Sequence, residues 1–323
     1  MNRSSSLSSA LAAALFAFSS LAVAQSWPSR PITIIVSQAV STAPDFVART
    51  LAAHLAENLK VAVVVDNRGG ASGNIGAEYV AKAAPDGYTL FVAPSSLSTN
   101  AALNRKLRFD AVKSFSPILP LAEGLQSLVV STDSAVKSVK ELVALVKAQP
   151  GKLFYATPGN GTIHHLIMEQ FKLEAGMDLV HVPYKGLTGG VTDLIGGRVN
   201  VMFITVAAAV PFVKRGQMRM LAVIKPKRSP LLPDMPTLAE QGYPNVLAGS
   251  WYGMLAPAGM PGEIVSRLNT EFNTILAEKE VKKSFAVQSL EATGGTPAQM
   301  GEILQTEFDR WRKIADATKI TAD

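Results

Sequence analysis

Residues Tyr155–Gln170 read YATPGNGTIHHLIMEQ and place a strand, a glycine-rich loop and a helix in direct succession. The apolar segment Leu153–Ala156 predicts the strand, and the spacing of apolar residues over Thr162–Ala175 predicts the helix. Gly159 and Gly161 lie between them. Such a loop presents backbone N–H groups at a helix N-terminus, which favours the binding of an anion. The stretch therefore predicts a βα unit with an anion-binding loop.

The same alternation of strands and helices extends along the chain, which indicates an α/β fold built from βαβ units with mostly parallel sheets. The predicted strands are Pro31–Val36, Val61–Val65, Tyr88–Ala93, Leu128–Ser131, Leu153–Ala156, Val180–Pro183, Val199–Ile204, Met220–Ile224 and Trp251–Ala256. The predicted helices are Asp45–Leu59, Gly73–Ala83, Val139–Lys147, Thr162–Ala175, Gly190–Gly196, Glu263–Glu278 and Pro297–Thr318. Since ligands of such sheets bind beyond the carboxyl ends of strands, the loops after strands are the candidate sites.

The chain length favours two doubly wound lobes joined by a hinge. A chain of 323 residues exceeds the size at which single cores tend to split into domains. We expect residues 25–125 and 251–323 to form the first lobe and residues 126–250 to form the second. The ligand cleft is expected between them.

The N-terminal residues 1–24 predict a secretory signal peptide. Arg3 precedes the apolar run Leu11–Ala24, which ends in the small-residue pattern Ala22-Val23-Ala24. We therefore expect cleavage after Ala24 and export to the periplasm.

Composition excludes several classes of function. The chain contains no cysteine, so disulfides, thiolate nucleophiles and cysteine-bound metals are absent. The formal net charge is +6, but the basic residues are scattered, and the densest cluster, Lys225–Arg228, is short and contains proline. We expect no nucleic-acid partner, whereas a mild positive balance suits a small anionic ligand.

Catalytic patterns are also missing. The sequence lacks a G-x-S-x-G elbow, a Walker A lysine and the HxxxH and HExxH spacings of zinc sites. His164 and His165 point about 100° apart on a helix, so they cannot both face one site, and a packing role is favoured for His165. We expect no catalytic residue, cofactor or metal. Binding is favoured over turnover, with an exported enzyme acting on a small carboxylic acid or ester as the alternative.

Three loops after strands supply the candidate ligand-binding residues. In the first loop, Thr42 and Asp45 also match a helix-capping pattern, so capping alone is the alternative. The second loop, Pro94–Asn100, also fits an ordinary polar turn. A further glycine-rich stretch, Asn67–Gly76, lacks a following lysine and is interpreted as a structural loop that packs a helix closely. The candidates are Gln38, Ser41, Thr42, Ser95, Ser96, Thr157, Gly159, Asn160, Gly161 and Thr162.

Seven further segments carry a family resemblance. They are WPSRPITIIV (27–36), VDNRGGASGNIGA (65–77), APDGYTL (84–90), KSVKEL (137–142), HVPYKG (181–186), LPDMPT (232–237) and SWYGMLAP (250–257). In this order and spacing the chain resembles the Bug family of periplasmic solute receptors, the binding components of tripartite tricarboxylate transporters. The resemblance covers essentially the whole chain after the signal peptide.

The resemblance implies a two-lobed periplasmic binding protein of the Venus-flytrap, type II architecture. It implies a carboxylate gripped between Gln38–Thr42 of one lobe and Thr157–Thr162 of the other, with Ser95 and Ser96 on a third contacting loop. The implied partner is a membrane permease of a tripartite tricarboxylate transporter, and we expect a monomer.

The chain departs from the family pattern at three places. Ser41-Thr42 stands where the family usually has Gly-Gly, Leu97 where a histidine is frequent, and Ile204 where an aspartate usually follows the V-M-F strand. Ile204 is therefore added to the candidate ligand-binding residues. Because a buried ammonium needs a charged partner, these losses predict a carboxylate ligand with an apolar or aromatic body, rather than a hydroxylated or amino acid.

Overall fold

The computed structural model describes residues 27–104 and 106–320, so the predicted signal peptide lies outside the described residues. The strands are β1 (Ile32–Val36), β2 (Val63–Asn67), β3 (Thr89–Pro94), β4 (Phe115–Gly124), β5 (Gln126–Ser131), β6 (Phe154–Thr157), β7 (Val180–Pro183), β8 (Val201–Thr205), β9 (Met218–Val223), β10 (Ser250–Pro257) and β11 (Leu290–Ala292). The helices are α1 (Ala43–Leu59), α2 (Asn74–Ala81), α3 (Ser96–Leu103), α4 (Val139–Ala148), α5 (Ile163–Ala175), α6 (Leu187–Ile195), α7 (Val206–Lys214), α8 (Gly262–Ala277), α9 (Lys279–Val287) and α10 (Pro297–Thr318). Among these helices, none combines the length and apolar character needed to cross a membrane.

The strands form two sheets. The first has the order β11-β4-β10-β3-β1-β2 and the second has the order β7-β6-β8-β5-β9. Parallel pairing is confined to β2-β1-β3 and β7-β6-β8, and the other pairs are antiparallel. The expectation of mostly parallel sheets was therefore wrong. β5 and β10, which the chain enters from the other sheet, run against both of their neighbours, and β11 runs against β4.

Both faces of each sheet are buried, which is the arrangement of an α/β protein with helices on both sides. Since side chains alternate along a strand, Ile34 and Ile35 of β1 enter different core clusters, and so do Phe203 and Ile204 of β8. Helix α1 covers one face of the first sheet through the leucines that the sequence pattern placed on one side.

Strand β4 was missed by the sequence analysis because Pro117 and Pro120 interrupt its apolar run. Proline has no N–H group to donate to a ladder and is found mainly at strand edges or bulges. β4 nevertheless lies between β11 and β10, and its pairing with β10 shifts register at the two places where it reaches these prolines, opposite Gly253 and Leu255. The irregular register accommodates the prolines within the sheet.

Three short helices were also missed. The segment read as a polar turn after β3 forms α3, whose buried Leu97 and Ala101 have the i, i+4 spacing of one helix face. α7 contains Pro211, which counts against a helix in a sequence pattern, and α9 follows α8 after one residue.

The chain passes between the sheets twice. It leaves the first sheet at Gly124 and enters the second at Gln126, and it returns between β9 and β10. Helix α10 contacts both sides, because Met300 packs in a core cluster of the first sheet and Trp311 in a cluster of the second. The limits of the two lobes in sequence stay a prediction.

Candidate ligand-binding cleft

A cleft with a volume of about 830 Å³ is lined by loops from both sheets. The loops follow β1, β2, β3 and β6, so the cleft lies at the carboxyl ends of parallel strands. Eight of the predicted site residues line it, namely Gln38, Thr42, Ser95, Ser96, Gly159, Asn160, Gly161 and Thr162. The structure therefore brings the three predicted loops together, whereas Ser41, Thr157 and Ile204 are not among the lining residues.

The loop after β1 differs from the capping prediction. Thr42 occupies the N-cap position of α1, but its hydroxyl donates to the Ala39 carbonyl at 2.7 Å and makes no capping bond. The Ser41 N–H donates to the Asp45 carboxylate at 2.9 Å, and Ser41 has a φ of 67°. Glycine adopts that backbone region without cost, which suits a position where the resemblance implies glycine. Ser41 is exposed and is not among the lining residues, so the loop contributes Gln38 and Thr42 instead.

The loop after β3 leads into the N-terminus of α3. Ser95 is buried and its N–H donates to the Trp251 carbonyl at 2.9 Å, which ties this loop to β10. Ser96 begins the helix and lines the cleft. Asn100, one turn later, donates to the Ser72 carbonyl at 2.6 Å and joins this loop to the one after β2.

The glycine-rich loop after β6 leads into α5. Gly159 and Gly161 have φ values of 149° and 65°, which glycine adopts most readily. Thr162 is the N-cap, accepts a bond from the His165 N–H at 3.4 Å and donates to the Gly159 carbonyl at 2.9 Å. Thr157 is 1% exposed and bonds to Gly159 from beneath, so it supports the loop rather than lining the cleft. This arrangement leaves the first N–H groups of α5 directed out of the helix end.

The apolar departures at Leu97 and Ile204 do not line the cleft, which corrects the sequence interpretation. Ile204 is 0% exposed, because the alternation along β8 turns it into the core with Met202 and Ala156. Leu97 is 4% exposed and packs in a core cluster of the first sheet. Neither side chain makes the cleft more apolar. The apolar lining comes instead from residues such as Leu103, Ile163 and Tyr252, which the sequence analysis did not identify.

The loop after β2 also lines the cleft, through Gly69, Gly70, Ser72 and Gly73, and was missed as part of the site. The predicted close packing is present, since a Cβ at Gly76 would lie 2.7 Å from the Arg68 carbonyl oxygen. The signal that could have placed this loop at the cleft was its position directly after a parallel strand.

No Asp, Glu, Lys or Arg is found among the cleft-lining residues that the structure describes. His164 lines the cleft, and burial lowers its pKa to about 4, so the imidazole is neutral near pH 7. Burial raises the pKa of Tyr252 to about 12, so its phenol also stays neutral. The N-termini of α1, α3 and α5 converge on the cleft and supply partial positive charge without a cationic side chain. This combination suits an anion, and the described part of the lining has no carboxylate to balance a ligand cation.

Known proteins that resemble this chain are receptors that bind small solutes, as the cleft suggests. The family described as "Tripartite tricarboxylate transporter family receptor" matches residues 47–320. The chain belongs to this family. Its members are periplasmic solute-binding receptors, so the resemblance found in the sequence is confirmed, as is the two-lobed α/β fold.

Several relatives are similar over nearly their whole length. "Protein BugT" of Bordetella pertussis is 34% identical over 297 residues, which cover 91% of this chain and 91% of that protein. The structure titled "R. palustris Rpa4515 with adipate" is 35% identical with a TM-score of 0.76, covering 91% of this chain and 99% of that one. MatC (Rpa3494) from Rhodopseudomonas palustris with bound malate is 28% identical with a TM-score of 0.72, covering 89% and 99% respectively.

Proposed function

We propose that this receptor captures a small carboxylate in the cleft and delivers it to the membrane permease of a tripartite tricarboxylate transporter. The observation that carries the proposal is the convergence of three helix N-termini on a cleft whose described lining has no charged side chain. A carboxylate there would be held by backbone N–H groups and by the hydroxyls of Ser95 and Ser96.

Three lines of support concern the ligand class. Two relatives were solved with dicarboxylates, adipate and malate. The described lining offers no carboxylate to pair with an ammonium, so an amino acid would bury an unpaired charge. Leu103, Ile163 and Tyr252 provide apolar contact for the body of the ligand. We therefore propose a mono- or dicarboxylate without an amino group and with an aliphatic or aromatic body.

The cleft can also accommodate hydroxylated carboxylates, contrary to the sequence interpretation. That interpretation disfavoured them because of Leu97 and Ile204, and both side chains lie in the core. The cleft presents several hydroxyl and amide groups that could bond a ligand hydroxyl, so the proposed ligand class includes hydroxylated carboxylates.

We further propose where the receptor acts and which lobes move. Residues 1–24 would be removed after Ala24 during export to the periplasm, and the receptor would act as a monomer. We propose 25–125 with 251–323 and 126–250 as the lobes that close on the ligand. The assignment of β5 to β9 to one sheet supports these limits, and α10 would be the element that both lobes share during closure.

Calorimetric titration of residues 25–323 with adipate, malate, benzoate and aspartate tests the proposal. We expect at least one carboxylate to bind and aspartate to be the weakest of the four. Ligand recovered unchanged, as judged by NMR after release, supports a receptor, whereas a new product supports the exported-enzyme alternative. Tight binding of aspartate would contradict the proposed ligand class, and no binding at all would contradict the carboxylate assignment.

A matched pair of variants tests the site. Ser96→Asp places a carboxylate at the N-terminus of α3, where it competes with the ligand, and we expect at least a tenfold loss of affinity, about 1.4 kcal/mol. Ser138→Asp makes the same change at the N-cap of α4, which does not line the cleft, and should leave affinity unchanged.

A further inference from the structure

Two imidazoles and a phenol form a stack directly beneath the glycine-rich loop. The rings of His165 and His181 are stacked with centroids 3.9 Å apart at 21°, and the ring of Tyr155 lies 4.8 Å from that of His181 at 20° and 6.2 Å from that of His165 at 40°. The three rings come from α5, β7 and β6, and Tyr155 and His181 are paired in register. His165 is 7% exposed and Tyr155 is 0% exposed, so the stack belongs to the interior.

Each imidazole is hydrogen-bonded to the loop. The Gly161 N–H donates to Nδ1 of His165 at 3.2 Å. Nε2 of His181 lies 2.6 Å from the Thr157 hydroxyl, which itself bonds to the Gly159 carbonyl at 3.1 Å and accepts from the Gly159 N–H at 3.3 Å. His165 therefore holds the backbone of Gly161 directly, and His181 holds that of Gly159 through Thr157.

The Thr157 hydroxyl has one hydrogen, which it donates to the Gly159 carbonyl, so Nε2 of His181 donates to Thr157 and protonation at Nδ1 leaves that contact intact. The His165 contact, by contrast, depends on the protonation state of its ring. A nitrogen that accepts from an N–H must carry a lone pair, so His165 is neutral with its proton on Nε2. An imidazolium would direct an N–H at the Gly161 N–H, and two stacked imidazolium rings would repel each other. The pKa of His181 is lowered to about 4, mainly by burial and to a smaller extent by the neighbouring His165. A neutral His181 ring near pH 7 is consistent with this shift.

The other charged groups that face the stack are Glu169 and Lys172 of α5. Glu169 accepts from the Tyr155 hydroxyl at 2.5 Å and from Lys172 at 2.7 Å. The Lys172 ammonium also lies 5.4 Å from the centre of the Tyr155 ring. The Glu169 charge is thus already engaged by two donors, and the Lys172 charge disfavours a second cation beside it.

We propose that His165 and His181 are positioning residues of the ligand site, which hold Gly159–Thr162 in the shape that grips a carboxylate, and that protonation of His165 releases that shape. The inference rests on the proposed function, since it assigns that loop to the carboxylate. Affinity for the ligand should therefore fall on acidification by more than the titration of the ligand itself accounts for. His164, which directly precedes His165 on α5, lines the cleft. Of these two adjacent histidines, His164 is therefore placed to contact the ligand and His165 to support the loop.

Conservative and disruptive variants separate positioning from packing. In His165→Asn the amide oxygen can replace Nδ1 as an acceptor and does not titrate, and in His181→Gln the amide can replace Nε2. His165→Ala removes the acceptor. His54→Asn is the control, because His54 pairs with Glu278 at 3.1 Å and does not line the cleft.

The first experiment measures the dissociation constant of adipate by calorimetry between pH 7.5 and about pH 5, where histidine titrates. Comparing variants with wild type at each pH cancels the protonation of adipate. We expect His165→Ala to bind about tenfold more weakly at pH 7.5, and His165→Asn to bind within about threefold of wild type with a smaller loss on acidification. His181→Gln should lose affinity on acidification as wild type does, because the pKa of His181, about 4, lies below this range, and His54→Asn should also follow wild type. Wild-type affinity in His165→Ala, or an unchanged pH profile in His165→Asn, would overturn the proposal.

A second experiment needs no ligand. In the ligand-free protein, the NMR signals of the Gly159 and Gly161 amides should move with pH in wild type and stay fixed in His165→Asn, and His165→Ala should shift the Gly161 amide already at pH 7.5. The positioning role would be refuted if the Gly159 and Gly161 amide signals changed neither with pH nor in His165→Ala. If adipate fails to bind wild type while these amides respond as expected, the carboxylate assignment fails and the support of the loop stands.

Discussion

Gln126 and Ser250 join the two places where the chain passes between the sheets. The Gln126 side-chain amide donates to the Ser250 hydroxyl at 2.7 Å, and both residues are buried, with exposures of 0% and 8%. Gln126 begins β5 and Ser250 begins β10, so residues 124 positions apart share one bond at the crossings. Close by, Lys225 pairs with Glu291 at 2.7 Å and with Glu123 at 3.2 Å, which adds an ionic link between the segment after β9 and the edge of the first sheet.

Replacing Ser250 with alanine should destabilise the protein. The Gln126 amide would be left buried without its acceptor, which costs about 1–3 kcal/mol. We expect a loss of that size in the free energy of unfolding, measured by urea denaturation. Ser266→Ala is the control, since Ser266 is exposed on α8, and it should change stability by less than about 0.5 kcal/mol. An equal, small effect of both substitutions would show that the Gln126–Ser250 bond contributes nothing.

Removing the Thr162 side chain should affect stability and binding together. Thr162→Ala deletes the cap of α5 and the bond to the Gly159 carbonyl, and loss of a cap costs about 1 kcal/mol. We expect weaker carboxylate binding as well, because Thr162 lines the cleft. Ser138→Ala removes a comparable cap from α4 away from the cleft, and should lower stability by a similar amount with unchanged affinity. Loss of affinity in both variants would indicate that general destabilisation is the cause.

Much of the fold could be predicted because it depends on local patterns. The βα unit around Gly159 and Gly161 has its strand, loop and helix adjacent in sequence, and Thr162 was placed correctly at the start of the helix. The eight candidates that line the cleft were found because loops after parallel strands converge at one edge of a sheet.

The errors arose where the outcome depends on distant partners. The direction of β5 and β10 is set by which sheet the chain enters, and no local pattern records that. Ile204 stands near the end of β8, yet the pleat turns its side chain into the core, so its position along the chain does not indicate its distance from a ligand. The bonds of His165 and His181 to the loop join residues whose relation appears only once β6 and β7 are paired.

Introducing an acid at position 204 tests the corrected place of that residue. Ile204→Asp would bury a carboxyl group among Met202, Ala156 and Val129 in the core, and an unbonded buried polar group costs roughly 2–7 kcal/mol. We expect severe loss of the free energy of unfolding and no gain in binding of amino acids. Ile204→Val, which removes one methylene, should cost only about 0.5–1.5 kcal/mol. A stable Ile204→Asp protein that binds aspartate would show that the side chain reaches the cleft.

Stability should fall on acidification in part through His164. Burial lowers the pKa of this imidazole from 6.5 to about 4 in the folded protein, so the unfolded chain binds the proton first. The contribution is therefore fully present above pH 6.5 and is lost as the pH falls from there towards 4. His164→Phe keeps a ring of similar breadth and cannot titrate. Between pH 7 and about pH 5, the free energy of unfolding of this variant should fall less than that of wild type, although His181 keeps part of the slope in both proteins. Parallel slopes in the two proteins would mean that His164 is protonated in the folded state as readily as in the unfolded chain.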